Sequence, residues 1–117
     1  MTEQQLQKKI IDHLQADGAW IAKVIEGNKR GIPDIIACWR GFFVTVEVKK
    51  DAQAYGRWLS GSTKGSALQH YQMERIAEAG GTAIIAYDFE IFKEQWEQCK
   101  TRLRAVKYHP GGAWSSP

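Results

Sequence analysis

Two short apolar runs, Ile32 to Trp39 and Phe42 to Val48, are separated only by Arg40 and Gly41. Runs of this length around a glycine-containing break read as a β-hairpin. Pairing Trp39 with Phe42 across a two-residue turn sets Asp34 directly opposite Glu47. A four-residue turn from Trp39 to Phe42 gives the same register, and a three-residue turn shifts it by one. The face pattern selects the first register. It gathers Ile35, Ala37, Trp39, Phe42, Val44, Val46 and Val48 on a wholly apolar face. Ile32, Asp34, Ile36 and Cys38 then share the other face with Phe43, Thr45, Glu47 and Lys49, so the hairpin's charge collects on one side, at one end.

The rest of the chain arranges itself around that hairpin. Residues 2–16 read as a helix opened by a Thr2–Gln5 capping box, with Leu6, Ile10 and Leu14 on one stripe, Ile11 beside it, and Gly18 as its stop. Trp20 to Ile25 alternates as a strand does, and 26–31 is a polar turn. Lys49 to Gly65, with three glycines, reads as a long polar loop, a feature that in a small domain is usually functional or mobile. Ser66 and Gln69 repeat the capping-box spacing and open a second helix that ends at Gly80 and Gly81. Thr82 to Tyr87 reads as a buried strand. Asp88 caps a third helix running to about Arg104, with Ile91, Phe92, Trp96, Cys99 and Leu103 on its apolar side. The order helix, three strands, helix, strand, helix predicts an α/β fold with a mixed central sheet flanked by helices. One domain is expected over residues 1–107, followed by an irregular tail over 108–117 rich in Gly, Ser and Pro.

Composition narrows the class without naming it. A chain of 117 residues suits one core. No apolar run is long enough to span a membrane and the N-terminus is polar, so a cytoplasmic location with no signal peptide is expected. Cys38 and Cys99 make no disulfide framework, and neither has a Cys or His at zinc-ligand spacing. The formal charge of +3, from 16 Lys and Arg against 13 Asp and Glu, is mild. Its placement carries more. Lys23, Lys29 and Arg30 precede Asp34, and Lys50, Arg57 and Lys64 follow Glu47. Read alone, such charges are a solvated surface; around a site, they are contacts for an anionic partner.

The opposed carboxylates are that site. Facing residues hold their Cβ atoms roughly 5 Å apart. At that distance two carboxylates repel by about 3 kcal/mol at an effective dielectric of about 20. A divalent cation removes the repulsion, and hard oxygen ligands favour Mg²⁺ or Mn²⁺. Lys49, two residues beyond Glu47, points to the same face. The plainer reading is a solvated cluster at a strand end, with Lys49 in a salt bridge.

The stretch G-I-P-D from Gly31 to Asp34, followed by E-V-K from Glu47 to Lys49, resembles the PD-(D/E)XK nuclease motif. With the preceding helix and the S-x-x-Q start of the following one, residues 3 to 87 resemble the VRR-NUC family, whose small stand-alone members include phage proteins. The resemblance implies a restriction-endonuclease-like αβββαβα core and a metal-dependent, structure-specific DNA endonuclease. It further implies a branched substrate such as a four-way (Holliday) junction, cut by a homodimer in the cytoplasm of a bacterial host. Asp34 and Glu47 would bind Mg²⁺ or Mn²⁺ with the Val48 carbonyl as a third protein ligand, and Lys49 would orient or activate water. Glu3 would be the first-helix glutamate of the family, although a first-turn Glu also complements the helix dipole. Gln69 would approach the site or the scissile phosphate, unless its amide closes the capping box on Ser66.

Other features carry less. Gly61 to Gly65 lacks phosphate-loop spacing. His13, His70 and His109 lie in three separate segments. Trp58, beside Tyr55 and Arg57, is able either to stack on an unpaired base or to anchor the loop. The alternative to an enzyme is a catalytically inactive DNA-binding or interaction module of nuclease ancestry.

Overall fold

The computed structural model describes residues 1–25 and 30–105. Lys29, His109 and the tail over 108–117 lie outside them. Eight elements follow in order: α1 (Glu3–Ala16), β1 (Trp20–Lys23), β2 (Ile35–Trp39), β3 (Phe42–Val48), α2 (Ala52–Leu59), α3 (Ser66–Glu78), β4 (Thr82–Ala86) and α4 (Phe89–Ala105). The sheet is mixed and runs β1-β2-β3-β4, the first three strands antiparallel and β4 parallel to β3. This is the α/β fold the pattern predicts, with one more helix.

The hairpin has the expected register, with Trp39 paired to Phe42 and Ile35 to Val46. Its two turn residues, Arg40 (φ 52°) and Gly41 (φ 87°), both have positive φ, the combination that matches the twist of paired strands. Arg40 is not a residue that adopts this region readily, and its guanidinium lies 5.5 Å from the Trp39 ring centre, so the turn gains a cation–π contact. Ile35, Ala37, Val44, Val46 and Val48 are fully buried beneath α1 and α4, together with Leu6, Ile10, Leu14, Phe92 and Trp96. At the end of α1 the Asp17 carboxylate receives the Trp96 indole N–H and the Lys100 ammonium, both at 2.6 Å, while its backbone carbonyl receives the Trp39 indole N–H at 3.1 Å. The Lys100 hydrogen bond holds the Asp17 carboxyl below the usual range. A polar seam thus ties α1, β2 and α4 together at the end of the sheet away from Asp34.

Three expectations need correction. The stretch from Lys49 to Gly65 is not one loop, because Asp51 accepts from the Ala54 N–H at 2.8 Å and starts α2. Ala52, Gln53 and Ala54 are good helix formers, and the side-chain cap satisfies a first-turn N–H that glycine counting ignores. Ser66 is not a cap either. Gly65, at φ 83°, holds the N-cap position with no side-chain bond, and Ser66 is already helical and buried. Ile91 turns away from the α4 stripe and is 37% exposed. The first capping box is present as read, with Thr2 and Gln5 exchanging both bonds, and the Asp88 side chain accepts from the Ile91 N–H at 3.0 Å.

Candidate active site

Among the described residues the second face of the sheet is covered by α3 and stays partly open, with Trp20 65% and Phe43 45% exposed. At one end of that face the hairpin register, carried one residue past Ile35, opposes Asp34 to Glu47. Asp34 is pinned at both ends. Its carbonyl accepts from the Val24 N–H at 2.8 Å, and its Oδ2 accepts from the Val48 N–H at 2.8 Å. Glu47 is only 3% exposed. Its Oε2 lies 3.2 Å from Lys49 Nζ, and its Oε1 is buried with no hydrogen-bond partner among the described residues. Lys49 Nζ also donates to Gln69 Oε1 at 3.1 Å. Four of the five residues proposed from sequence for chemistry therefore meet within a few ångströms.

Glu3 is the fifth. The residue is exposed overall, but partial burial of its carboxyl and then the negative charge of Asp34 push its pKa up, while Lys49 and Lys50 pull it down. The start of α1 thus brings a third carboxylate within electrostatic reach of the pair. Burial, followed by the charge of Asp34, pushes the Glu47 carboxyl up to about 7. Burial raises Asp34 as well, against the pull of the Val48 N–H and the Lys49 charge. Two buried acids side by side do not both ionise freely, so each holds its proton more tightly than an isolated carboxyl does.

The donor set suits a hard cation. An orphaned, buried carboxylate oxygen facing a second carboxylate is what a divalent ion would satisfy. Among the described residues no three His, Cys, Asp or Glu side chains gather closely enough to hold a metal. The protein would supply two carboxylates and backbone oxygen, with water filling the rest, which matches Mg²⁺ better than Zn²⁺.

Gly31 explains how α3 delivers Gln69. Its φ is +78°, and a Cβ there would come within 2.6 Å of the Leu68 carbonyl group and 2.8 Å of the Gln69 N. The segment before Asp34 thus lies directly on the backbone of α3 beside Gln69. Gly31→Ala should lose about 2–4 kcal/mol of stability in urea denaturation, from strain plus displacement of α3. Gly65→Ala, also at positive φ but in open space, should lose only about 1 kcal/mol. Equal losses in the two variants would show that the close approach does not matter.

The basic residues divide. Lys23 lies near enough to lower the Asp34 pKa, and Lys50 acts likewise on Glu3. Arg30 precedes Gly31, and its carbonyl accepts from Gln72 Nε2 at 3.1 Å. Arg57 on α2 and Lys64 before α3 are exposed. Sequence reasoning left Trp58 and His70 apart from the site, yet Trp58 is 3% exposed and stacks on His70 at 3.7 Å between ring centres. That burial removes the open-base-stacking reading of Trp58. The Asp51 cap was the signal that could have placed Trp58 on a helix facing α3. A hollow of about 830 Å³ lies farther along the same sheet face, lined by Pro33, Phe43, Thr45, Tyr71 and Arg75, and adjoins the carboxylates without containing them.

No family model matches the chain, and no curated protein sequence matches it. A solved structure described as a VRR_NUC domain is similar to it, with a TM-score of 0.66 and 26% sequence identity, covering 83% of this chain and 97% of that one.

Proposed function

From a chain that has the fold of the VRR-NUC domains, we propose a Mg²⁺- or Mn²⁺-dependent DNA endonuclease that hydrolyses phosphodiester bonds. The observation that carries this reading is the buried Glu47, its Oε1 unsatisfied, placed between Asp34 and the Lys49–Gln69 pair. Asp34 and Glu47 would hold the cation, with the Val48 carbonyl beside them. A cation bound there supplies Lewis acidity at the phosphate and lowers the pKa of the attacking water. Lys49 places that water and offsets charge that develops in the transition state. Gln69 and Glu3 complete the rim of the site.

DNA reaches this rim through its phosphates. Lys23 and Lys50 flank the carboxylates, and Arg30, Arg57 and Lys64 extend the positive surface along the backbone. A domain this small has little surface for reading bases, which favours recognition of shape. Branched DNA, such as a four-way junction cut by two copies of the chain, is the substrate we propose. No helix among the described residues is long and apolar enough to cross a membrane.

A cleavage panel of single-stranded, duplex, flap and junction DNA, with Mg²⁺ and with EDTA, tests the reading. Metal-dependent cutting with preference for the branched substrates is expected. DNA binding without cutting under any metal would leave only a binding module. Binding also has a salt signature. Each neutralised phosphate adds about 0.9 to the slope of log affinity against log salt. Replacing Lys50, Arg57 and Lys64 together by Ala should flatten that slope by about two to three while Mn²⁺ binding is kept. An unchanged slope would remove this surface from the DNA contact.

A further inference from the structure

Gln69 has one amide oxygen and two donors set against it. The Trp58 indole N–H donates to Gln69 Oε1 at 2.6 Å, and the Lys49 ammonium donates to the same oxygen at 3.1 Å. Neither partner has a lone pair to offer in return. Exchanging the amide O and N would press an NH₂ group against two donors, so only one orientation of the amide is allowed. Both lone pairs of Oε1 are then engaged, and Nε2, whose two N–H groups meet no acceptor among the described residues, is left for one outside the cluster. Beside Glu47 and Lys49, the acceptor that fits is an anionic oxygen.

The indole is itself held from several sides. Its face lies 3.7 Å from the His70 ring at an interplanar angle of 19°. His70 Nε2 lies 3.2 Å from the Trp58 carbonyl, and since a carbonyl only accepts, Nε2 is the donor. Tyr55 also stacks on Trp58, at 6.2 Å, and Tyr87, just past β4, stacks on Tyr55 at 4.6 Å. This aromatic column runs from the end of β4 through α2 to α3. The neighbouring bond from the Lys49 N–H to the Ala86 carbonyl, 2.8 Å long, ties β3 to the same strand end. Burial and stacking alone explain a tryptophan here. They do not explain why its single polar atom meets the one glutamine that also holds Lys49.

We propose that Trp58 is a positioning residue: its indole N–H fixes the Gln69 amide, so that Oε1 holds the Lys49 ammonium and Nε2 is presented as a donor to a non-bridging phosphate oxygen. The phosphate part rests on the nuclease reading above; the clamp on Gln69 does not. Phenylalanine at this position keeps a stacking ring and lacks the N–H, so it separates the hydrogen bond from the packing.

Two measurements on the full chain decide the proposal. The first needs no activity. In ¹⁵N-labelled protein, Gln69→Ala should shift the Trp58 indole N–H resonance and speed its exchange with solvent by about tenfold or more, the size of one lost hydrogen bond. An indole resonance that stays in place overturns the clamp. The second uses single-turnover cleavage. Trp58→Phe should slow the rate at saturating DNA by about five- to tenfold, with the half-saturating DNA concentration changed less than about twofold, as for a group acting only on the rate. It should add nothing once Gln69 is already Ala. A normal rate, or a loss that adds in full to Gln69→Ala, overturns the proposal and leaves Trp58 as packing. If Trp58→Phe does not fold, the indole resonance in Gln69→Ala still decides. If the wild-type protein cuts no DNA, the nuclease reading fails and the resonance test judges the clamp alone.

Discussion

Glu47→Gln is expected to abolish both Mn²⁺ binding and DNA cleavage, and yet to melt at a higher temperature than the wild type at pH 8 without metal. The two effects share one cause. Glu47 is buried beside Asp34, so ionising it is costly, and its pKa is raised from 4.5 to about 7. Its folded form therefore keeps a proton that the unfolded chain has already lost. Below about pH 4.5 both states are protonated and the stabilising contribution is fully present. As pH rises through about 7 the folded state must give up its proton, and the contribution is lost. Metal-free wild type should thus lose stability between these limits and level off above them. Glu47→Gln should remove most of that slope, with a gain on the order of 2 kcal/mol at pH 8, reduced by the loss of the Lys49 ion pair. Asp34 is the poorer choice for this test, because its Oδ2 also accepts from the Val48 N–H. Metal binding requires the ionised carboxylate, so in the wild type Mn²⁺ affinity should fall as pH drops below about 7, with proton release on binding. Calorimetric titration with Mn²⁺ and melting curves from pH 4 to 8 measure both predictions. Undiminished cleavage by Glu47→Gln in Mg²⁺ would end the assignment of Glu47 as a metal ligand.

The hairpin was the most legible part of the chain, for a reason that also limits what else could be read. A strand alternates faces every residue, so seven apolar positions on one face admit one register, and the register alone opposes Asp34 to Glu47. Periodicity similarly revealed α1 and α4, whose stripes bury Leu6, Ile10 and Leu14, and Phe92, Trp96 and Leu103. The helix α2 has only eight residues and buries only Trp58, too short a stretch for its apolar side to stand out, and Gly56 and Gly61 disguise it as a loop. The role of Gln69 was equally hidden. The spacing from Ser66 is that of a capping box, but the Gly65 cap frees the glutamine to meet Trp58 and Lys49. That choice depends on contacts between α2, α3 and β3, which are distant in sequence. Gly31 shows the intermediate case. A glycine before Pro-Asp was visible, but the reason for it, the backbone of Leu68 and Gln69 within 3 Å of where a Cβ would stand, belongs to the assembled fold.

Lys49→Ala is expected to bind DNA almost normally and to cleave it at least about a hundredfold more slowly at saturation, a usual loss when one positioned catalytic group is removed. A lysine that merely held a phosphate would behave differently: its removal would weaken binding, and enough DNA would restore the rate. The geometry favours the first outcome. Its side chain is only 12% exposed, and the ammonium sits between Glu47 Oε2 at 3.2 Å and Gln69 Oε1 at 3.1 Å. It is thus held against the carboxylates, whereas Lys50 and Lys64 are exposed and suited to the DNA backbone. Lys49→Arg should not restore the rate. A planar guanidinium is larger than an ammonium and presents its donors in a fixed fork, which cannot occupy one point between those two oxygens. Lys49→Met, which keeps the apolar stem, separates loss of charge from loss of packing and should be as slow as Lys49→Ala. Single-turnover rates at saturating DNA in Mg²⁺, beside binding measured in Ca²⁺, distinguish the two roles. Weak binding with a normal saturated rate would move Lys49 from the reaction to the phosphate contacts, and leave Asp34 and Glu47 to act without it.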